Sequence, residues 1–590
     1  MTPIRYTLQA VNPAAHLFRV SCSITKSTSD ELVFRLPNWI PGSYMVRDFA
    51  KNIVTINAFD DNGTARLNKL DKCRWQVSGT RGELTLEYDV YAWDLSVRAA
   101  HLDQTHGFFN GTSVFLLPEG FEAAPCEVRL LPPLESVQGQ WQVATSMSAL
   151  EVDAAGFGLY RADNYDDLID HPVEMGAFER YTFEACGVEH QVILTGQFIT
   201  DGERICVDLK RVCEYHIQFF DEPAPFDRYV FLVMVVGDGY GGLEHRFSTS
   251  LLVRRNSLPA PGVDCVSDEY TEFLGLCSHE YFHAWNVKRL RPAKLAQSDL
   301  DREAHTQLLW AFEGITSYYD DLALVRSGLI DRTRYLSLLA KTITRVAQTP
   351  GRFKQPVGES SFDAWTKFYK QDENAPNAIV SYYAKGAVVA LALDMILREK
   401  SAGAKSLDDL MRALWRNRDE AAGIPEGEIE RVASDLVQGD LSDFFDNAVR
   451  GVDDLPLEQL LQQVGVTLSW KAMLGKNGDQ HHAGVQPLAQ GMRVDFSGEL
   501  PRITHVLADS PAQTAGLSAG DKFIALNGLQ VNESSFGDAM RRHQPGDSVA
   551  VHAFRRDELS EFTLVLGASK SDTAVLSIAD ADVAQKWLWN

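Results

Sequence analysis

The sequence predicts a multidomain α+β protein: a β-rich N-terminal domain, an α+β domain, a helical domain and a small C-terminal β domain. Three observations predict it. The chain has 590 residues, several times what one hydrophobic core needs. Its first 170 or so residues are short alternating strands separated by Gly, Asp and Asn turns. From residue 331 the apolar residues recur at three and four, a helix period, until Lys471–Gly478 brings back turns and short strands. These shifts put the boundaries at 1–170, 171–330, 331–475 and 476–572.

Composition narrows the partners. Apolar residues make up 45% and charged residues 23%, ordinary for a globular chain. The formal net charge of −24 argues against nucleic acid and anionic membrane as partners. No stretch of about 18 apolar residues offers a membrane span. Arg5, Asn12, His16 and Arg19 interrupt any basic-then-apolar leader between Met1 and Val20. The eight cysteines form no CxxC pair, and none follows Cys277, which fits a reducing cytoplasm. The sequence carries no signal of oligomeric state.

In the β-rich domain, Ile4–Leu8, Leu32–Leu36, Ile53–Ile56 and Leu84–Tyr91 read as strands of an antiparallel sandwich or saddle-like sheet. Two loops stand out. Pro37–Asp48 is stiffened by Pro37, Pro41 and Gly42 and carries Trp39, Tyr44 and Arg47. The other is Phe108–Phe115. Either is a candidate to reach an active-site cleft or to form a packing corner.

In the second domain, Arg228–Val236 is almost wholly apolar and reads as a central strand. It leads into Gly237–Arg246, where Gly241 and Gly242 permit close backbone approach at a cleft edge. The stretch Ser278–Asn286 follows and contains H-E-x-x-H. Ser267 or Asp268 starts a helix, Tyr270, Phe273, Leu274 and Cys277 give its period, and Lys288, Arg289, Arg291 and Pro292 suggest its end. Residues i and i+4 share a helix face, so His279 and His283 can present nitrogens to one Zn²⁺. Glu280 is then placed to act as general base on a water. Downstream, Glu313 lies on the apolar side of a second helical run with Leu308, Leu309, Phe312 and Ile315. A carboxylate there is costly unless paired or bound to metal, which makes it the candidate third ligand. Asp320, two turns on, is either a partner for a ligand histidine or a helix-surface acid.

The run His279–Pro292, H-E-Y-F-H-A-W-N-V-K-R-L-R-P, together with Glu313-Gly314, closely resembles the glycyl aminopeptidase family of zinc peptidases. That resemblance implies a thermolysin-like catalytic domain of the gluzincin type, one zinc ion, peptide substrates and a preference for small N-terminal residues, Gly or Ala. Gly241-Gly242-Leu243-Glu244-His245 looks like the G-x-M-E-N segment of related aminopeptidases, with Leu for Met and His for Asn. By that likeness the backbone at Gly241 and Gly242 holds the substrate and Glu244 binds its α-amine. In the helical domain, Tyr383-Ala384-Lys385-Gly386 matches the relatives' Y-x-K-G, which implies that Tyr383 donates to the oxyanion, with Tyr382 as the fallback.

The final domain carries Ser510-Pro511-Ala512, Ala515-Gly516-Leu517, Gly520-Asp521 and Asn527-Gly528 in a spacing that resembles a PDZ domain. PDZ domains take a peptide end or an internal strand along a sheet edge. Asn532–His543 is the expected helix beside that groove, and Ala483-Gly484-Val485 a weak candidate for its carboxylate loop. Two other functions fit the same residues: a zinc endopeptidase fed by the PDZ domain, and a non-catalytic PDZ scaffold.

Overall fold

The computed structural model describes residues 2–25, 31–79, 82–134, 137–472, 488–540 and 542–588. The expected carboxylate loop at 483–485 and most of the 471–478 junction lie outside the described residues. Backbone contacts divide the chain into two compact units. The first comprises Met1–Ala304, Tyr319–Ile330 and Met411–Pro425, and the second His305–Tyr318, Asp331–Leu410 and Glu426–Asn590.

The first unit opens with the expected β-rich domain. Its largest sheet has eight strands. Ile4–Asn12 pairs antiparallel with Leu17–Ile24, because the turn at Pro13–Ala15 is short. It pairs parallel with Cys126–Leu131, a return possible only after a long crossover. The sheet is therefore mixed rather than purely antiparallel. Alternate residues such as Ile4, Tyr6 and Leu8 face a core that also takes in Phe34, Leu86, Phe109 and Val128.

The next sheet has five strands: β1 (Phe178–Ala185), β2 (Val188–Gly196), β3 (Arg228–Val236), β4 (Gly241–Glu244) and β5 (Ser248–Arg254), in the order β1-β2-β3-β5-β4. The apolar β3 is central and parallel to both neighbours. The glycine-bearing β4 is the outermost strand, antiparallel to β5. Its Leu243 is fully buried in the core of the N-terminal β domain, which ties this edge down. Helix α1 (Gly202–Phe219) and helix α2 (Asp268–Phe282) pack beside the sheet.

Helix α2 begins where the sequence suggests, with Ser267 Oγ accepting from the Tyr270 amide at 3.0 Å. It ends at Phe282 with His283 as its cap, ten residues before Pro292. Two of the basic residues read as helix-end signals instead stabilise the segment after it. Lys288 pairs with Asp170, and Arg289 donates to the carbonyls of Ala284, Pro225 and Arg246.

The second unit is mainly helical before residue 466 and mainly β after it. A π-helical turn, Trp310–Gly314, runs without a break into helix α3 (Ile315–Arg326), whose later residues belong to the first unit. Helix α4 (Ala384–Lys400) is buried along nearly its whole length. Met492–Asp495, Arg502–Val506, Lys522–Leu526, Ser548–Arg555 and Glu558–Val565 lie in one sheet that, with the short helix Pro511–Thr514 and the helix Glu533–Met540, surrounds a core of Ile503, Phe523, Val549 and Leu564, where the sequence leads one to expect a PDZ domain. The Asn377 side chain accepts from the Ala508 amide at 2.7 Å and donates to the Val506 carbonyl at 2.9 Å. After this small domain the chain returns. Thr573–Ile578 pairs with Val466–Lys471, and the Trp587 indole donates to Tyr318 Oη at 3.0 Å.

Candidate active site

The site grows from the last turn of α2. His279 and His283 lie one turn apart, their rings 4.6 Å between centroids and nearly perpendicular. Each ring is fixed through Nδ1. That of His279 meets Asp320 Oδ2 at 3.1 Å, and that of His283 the Asn286 carbonyl at 2.7 Å. The second bond exists because the helix ends at Phe282 and the chain turns back through Ala284 and Trp285. Burial raises the Asp320 carboxyl, against the pull of His279.

Glu313 is almost fully buried in the π-helical turn. The run from Trp310 to Arg326 is one helix, so Glu313 is held at a fixed two-turn offset from Asp320. His279 and His283 stand together in the first unit, and Glu313 lies in the second. The sequence pattern reads as plain α-helix here and gives no sign of the π turn. Such turns widen the backbone at functional sites. This one is accompanied by a close approach: a Cβ on Gly314 would lie 2.5 Å from Gly386.

Glu280 is buried and faces β4, where only a glycine at 242 leaves room, since a Cβ there would overlap its carboxylate. Glu244, two residues along the same strand face, brings its carboxylate within 4.8 Å of ligand atoms of Glu280 and His283. The Pro37–Asp48 loop does reach this place. Gly42, at φ +93°, lies against the Glu244 carboxylate. Phe108–Phe115 is buried in the β domain, where Asn110 donates to the Val97 carbonyl at 2.8 Å. Tyr383 stands at the start of α4, half-buried and stacked on Tyr382 and Phe368.

Several supporting residues escaped the sequence reading. Asp170, buried, takes Lys288 Nζ at 2.7 Å, His245 Nδ1 at 3.1 Å and Arg246 Nη1 at 3.2 Å. Burial works to raise its carboxyl, but Lys288 and Arg246 together with His245 hold it well below the usual carboxylate range. This network ties the residue after Glu244 to the segment after His283. On the far side of α2, His216 Nε2 meets Ser278 Oγ at 2.9 Å, and Ser278 donates to the Asp320 carbonyl at 2.9 Å. Burial pushes the His216 imidazole down to about 3, so it stays neutral. Only the His245 departure from G-x-M-E-N signalled any of this in sequence.

The profile of M61 glycyl aminopeptidases matches residues 272–389, and that of the peptidase M61 N-terminal domain matches 5–177. A PDZ profile matches 490–566. The crystal structure of an aminopeptidase N family protein from Idiomarina loihiensis is 42% identical, covers 100% of both chains and superposes with a TM-score of 0.96. An M1 zinc metallopeptidase from Deinococcus radiodurans is 14% identical over 77% of this chain and 95% of its own, with a TM-score of 0.47. No curated protein matches the sequence.

Proposed function

This chain belongs to the M61 glycyl aminopeptidase family, and from that premise we propose that it is a zinc-dependent aminopeptidase removing a small N-terminal residue, Gly or Ala, from peptides. The observation that carries the reading is the pair of His279 and His283 one turn apart, each held through Nδ1, with the buried Glu313 two turns before the Asp320 that holds His279. That donor set suits a single Zn²⁺ with one open position, held by His279, His283 and Glu313. With each Nδ1 engaged by Asp320 or Asn286, Nε2 is the nitrogen that ligates, the arrangement by which outer partners orient metal-bound histidines. When bound, zinc supplies Lewis acidity that acidifies water and polarises the scissile carbonyl.

The protein's own groups do the rest. Glu280 takes a proton from the attacking water and passes it to the leaving amine. Glu244 pairs with the substrate's α-ammonium, a charge-assisted contact that fixes the first residue and makes the enzyme an exopeptidase. Gly241 and Gly242 let the substrate backbone lie close to β4. Tyr383 donates to the oxyanion of the tetrahedral intermediate. The PDZ domain takes a peptide end or an internal strand. Eight free cysteines suit a reducing, cytoplasmic setting.

The test is hydrolysis of alanine p-nitroanilide and its N-acetylated form, with and without chelator. Chelator-sensitive cleavage of the free-amine compound alone is expected. Cleavage of the acetylated compound at a similar rate contradicts the amine anchor and favours an endopeptidase.

A further inference from the structure

Strand β4 presents its residues to a bound peptide in a fixed order. Glu244 stands at one end. Two residues back, about 7 Å along an extended strand, is Gly242, where Glu280 packs. At that same point a cation enters from the N-terminal β domain. Arg98 Nη2 donates to the Gly242 carbonyl at 3.2 Å, and a Cβ on Gly241 would lie 3.5 Å from Nη1. The Arg98 segment is held from behind, because the buried Asn110 amide donates to the carbonyls of both Val97 and Ala99.

The guanidinium is half-buried, and its buried Nε has no hydrogen-bond partner among the described residues. Among the described residues it meets no carboxylate within ion-pair distance, although the chain carries 80 acidic residues against 56 basic ones. A partly desolvated cation without a counter-charge is costly unless a ligand supplies one. The position adds a second constraint. Among the described residues, strand β4 has no neighbour beyond it in its sheet, and an added strand would lie about 4.8 Å away. Arg98 occupies that margin beside Gly242.

We propose that Arg98 binds the free α-carboxylate of the substrate, so that the preferred substrates are short peptides, dipeptides before longer ones. The inference rests on the aminopeptidase reading above. An extended dipeptide runs about 7 Å from amine to carboxylate, the separation along β4 between the Glu244 and Gly242 positions. Its single peptide bond then lies between the Glu244 and Gly242 positions, flanked by the carboxylates of Glu244 and Glu280, which stand within 4.8 Å of each other, and hydrolysis adds one water and releases two free amino acids. A longer chain offers Arg98 only a neutral carbonyl, a weaker partner for a guanidinium than a carboxylate.

The experiment compares kcat/KM for Ala-Ala, its C-terminal amide and alanine p-nitroanilide in the wild type, Arg98→Gln and Arg98→Lys. The wild type is expected to favour the free acid over the amide by about 10- to 100-fold, mostly in KM. Arg98→Gln brings that ratio near one, and Arg98→Lys keeps part of it. A wild-type ratio near one, or a full ratio retained in Arg98→Gln, overturns the proposal while leaving the aminopeptidase reading in place. The wild-type ratio needs no variant, so it stands even if the substitutions disturb folding. Failure of the wild type to cleave any of the three compounds sinks the aminopeptidase reading itself, and this inference with it.

Discussion

Gly42 and Glu244, 202 residues apart in sequence, touch: a Cβ built on Gly42 would lie 2.5 Å from Glu244 Oε2. The loop from the β domain thus forms one wall around the carboxylate that we assign to the substrate amine. Gly42→Ala forces that carboxylate to move and also places a side chain at φ +93°. We expect kcat/KM on alanine p-nitroanilide to fall by about 100-fold, the cost of a misplacement near 1 Å. Steady-state kinetics beside a thermal melt separate this from unfolding.

Glu244→Gln removes the anchoring charge and keeps the shape. The free-amine anilide is expected to lose about 10- to 100-fold in kcat/KM, the worth of a hydrogen bond to a charged group. Discrimination against the acetylated analogue shrinks by the same factor. An unchanged discrimination contradicts the assignment.

Asp320→Asn leaves His279 with a weaker partner. Loss of such an outer contact costs about 10- to 100-fold in metal affinity. Competition with a fluorescent zinc chelator measures it directly, independent of activity.

Asp170→Asn breaks the buried contact with Lys288 and is expected to cost about 3–5 kcal/mol near neutral pH. The sign of its pH dependence follows from the direction of the shift. The folded-state carboxyl sits well below its unfolded value, so its contribution is present above the unfolded pKa and disappears as pH falls through the folded one. Denaturant melts of wild type and variant should therefore converge in acid, below the ordinary carboxylate range.

How much of this was legible in sequence follows from contact range. The i, i+4 spacing of His279 and His283 is local, so the helix that carries them can be read from Tyr270, Phe273, Leu274 and Cys277. Glu313 stood out because a carboxylate among Leu309, Phe312 and Ile315 needs a reason. The family likeness pointed to Glu244 and Tyr383. What periodicity does not encode is where distant segments meet. Asp170 with His245, Arg98 with Gly242 and Gly42 with Glu244 leave no spacing pattern. The π turn at Glu313 likewise escaped a reading by α period. The helix end at Phe282 was misread because Lys288 and Arg289 have partners elsewhere in the fold, not in the final turn of α2.

The central claim is that His279, His283 and Glu313 hold one zinc ion for hydrolysis assisted by Glu280. The most direct test is metal analysis by mass spectrometry, paired with anilide hydrolysis, on wild type, Glu280→Gln and Glu313→Ala. The account predicts about one zinc per chain in wild type and Glu280→Gln, hydrolysis only in wild type, and loss of both metal and activity in Glu313→Ala. Full zinc retention and activity in Glu313→Ala would contradict it.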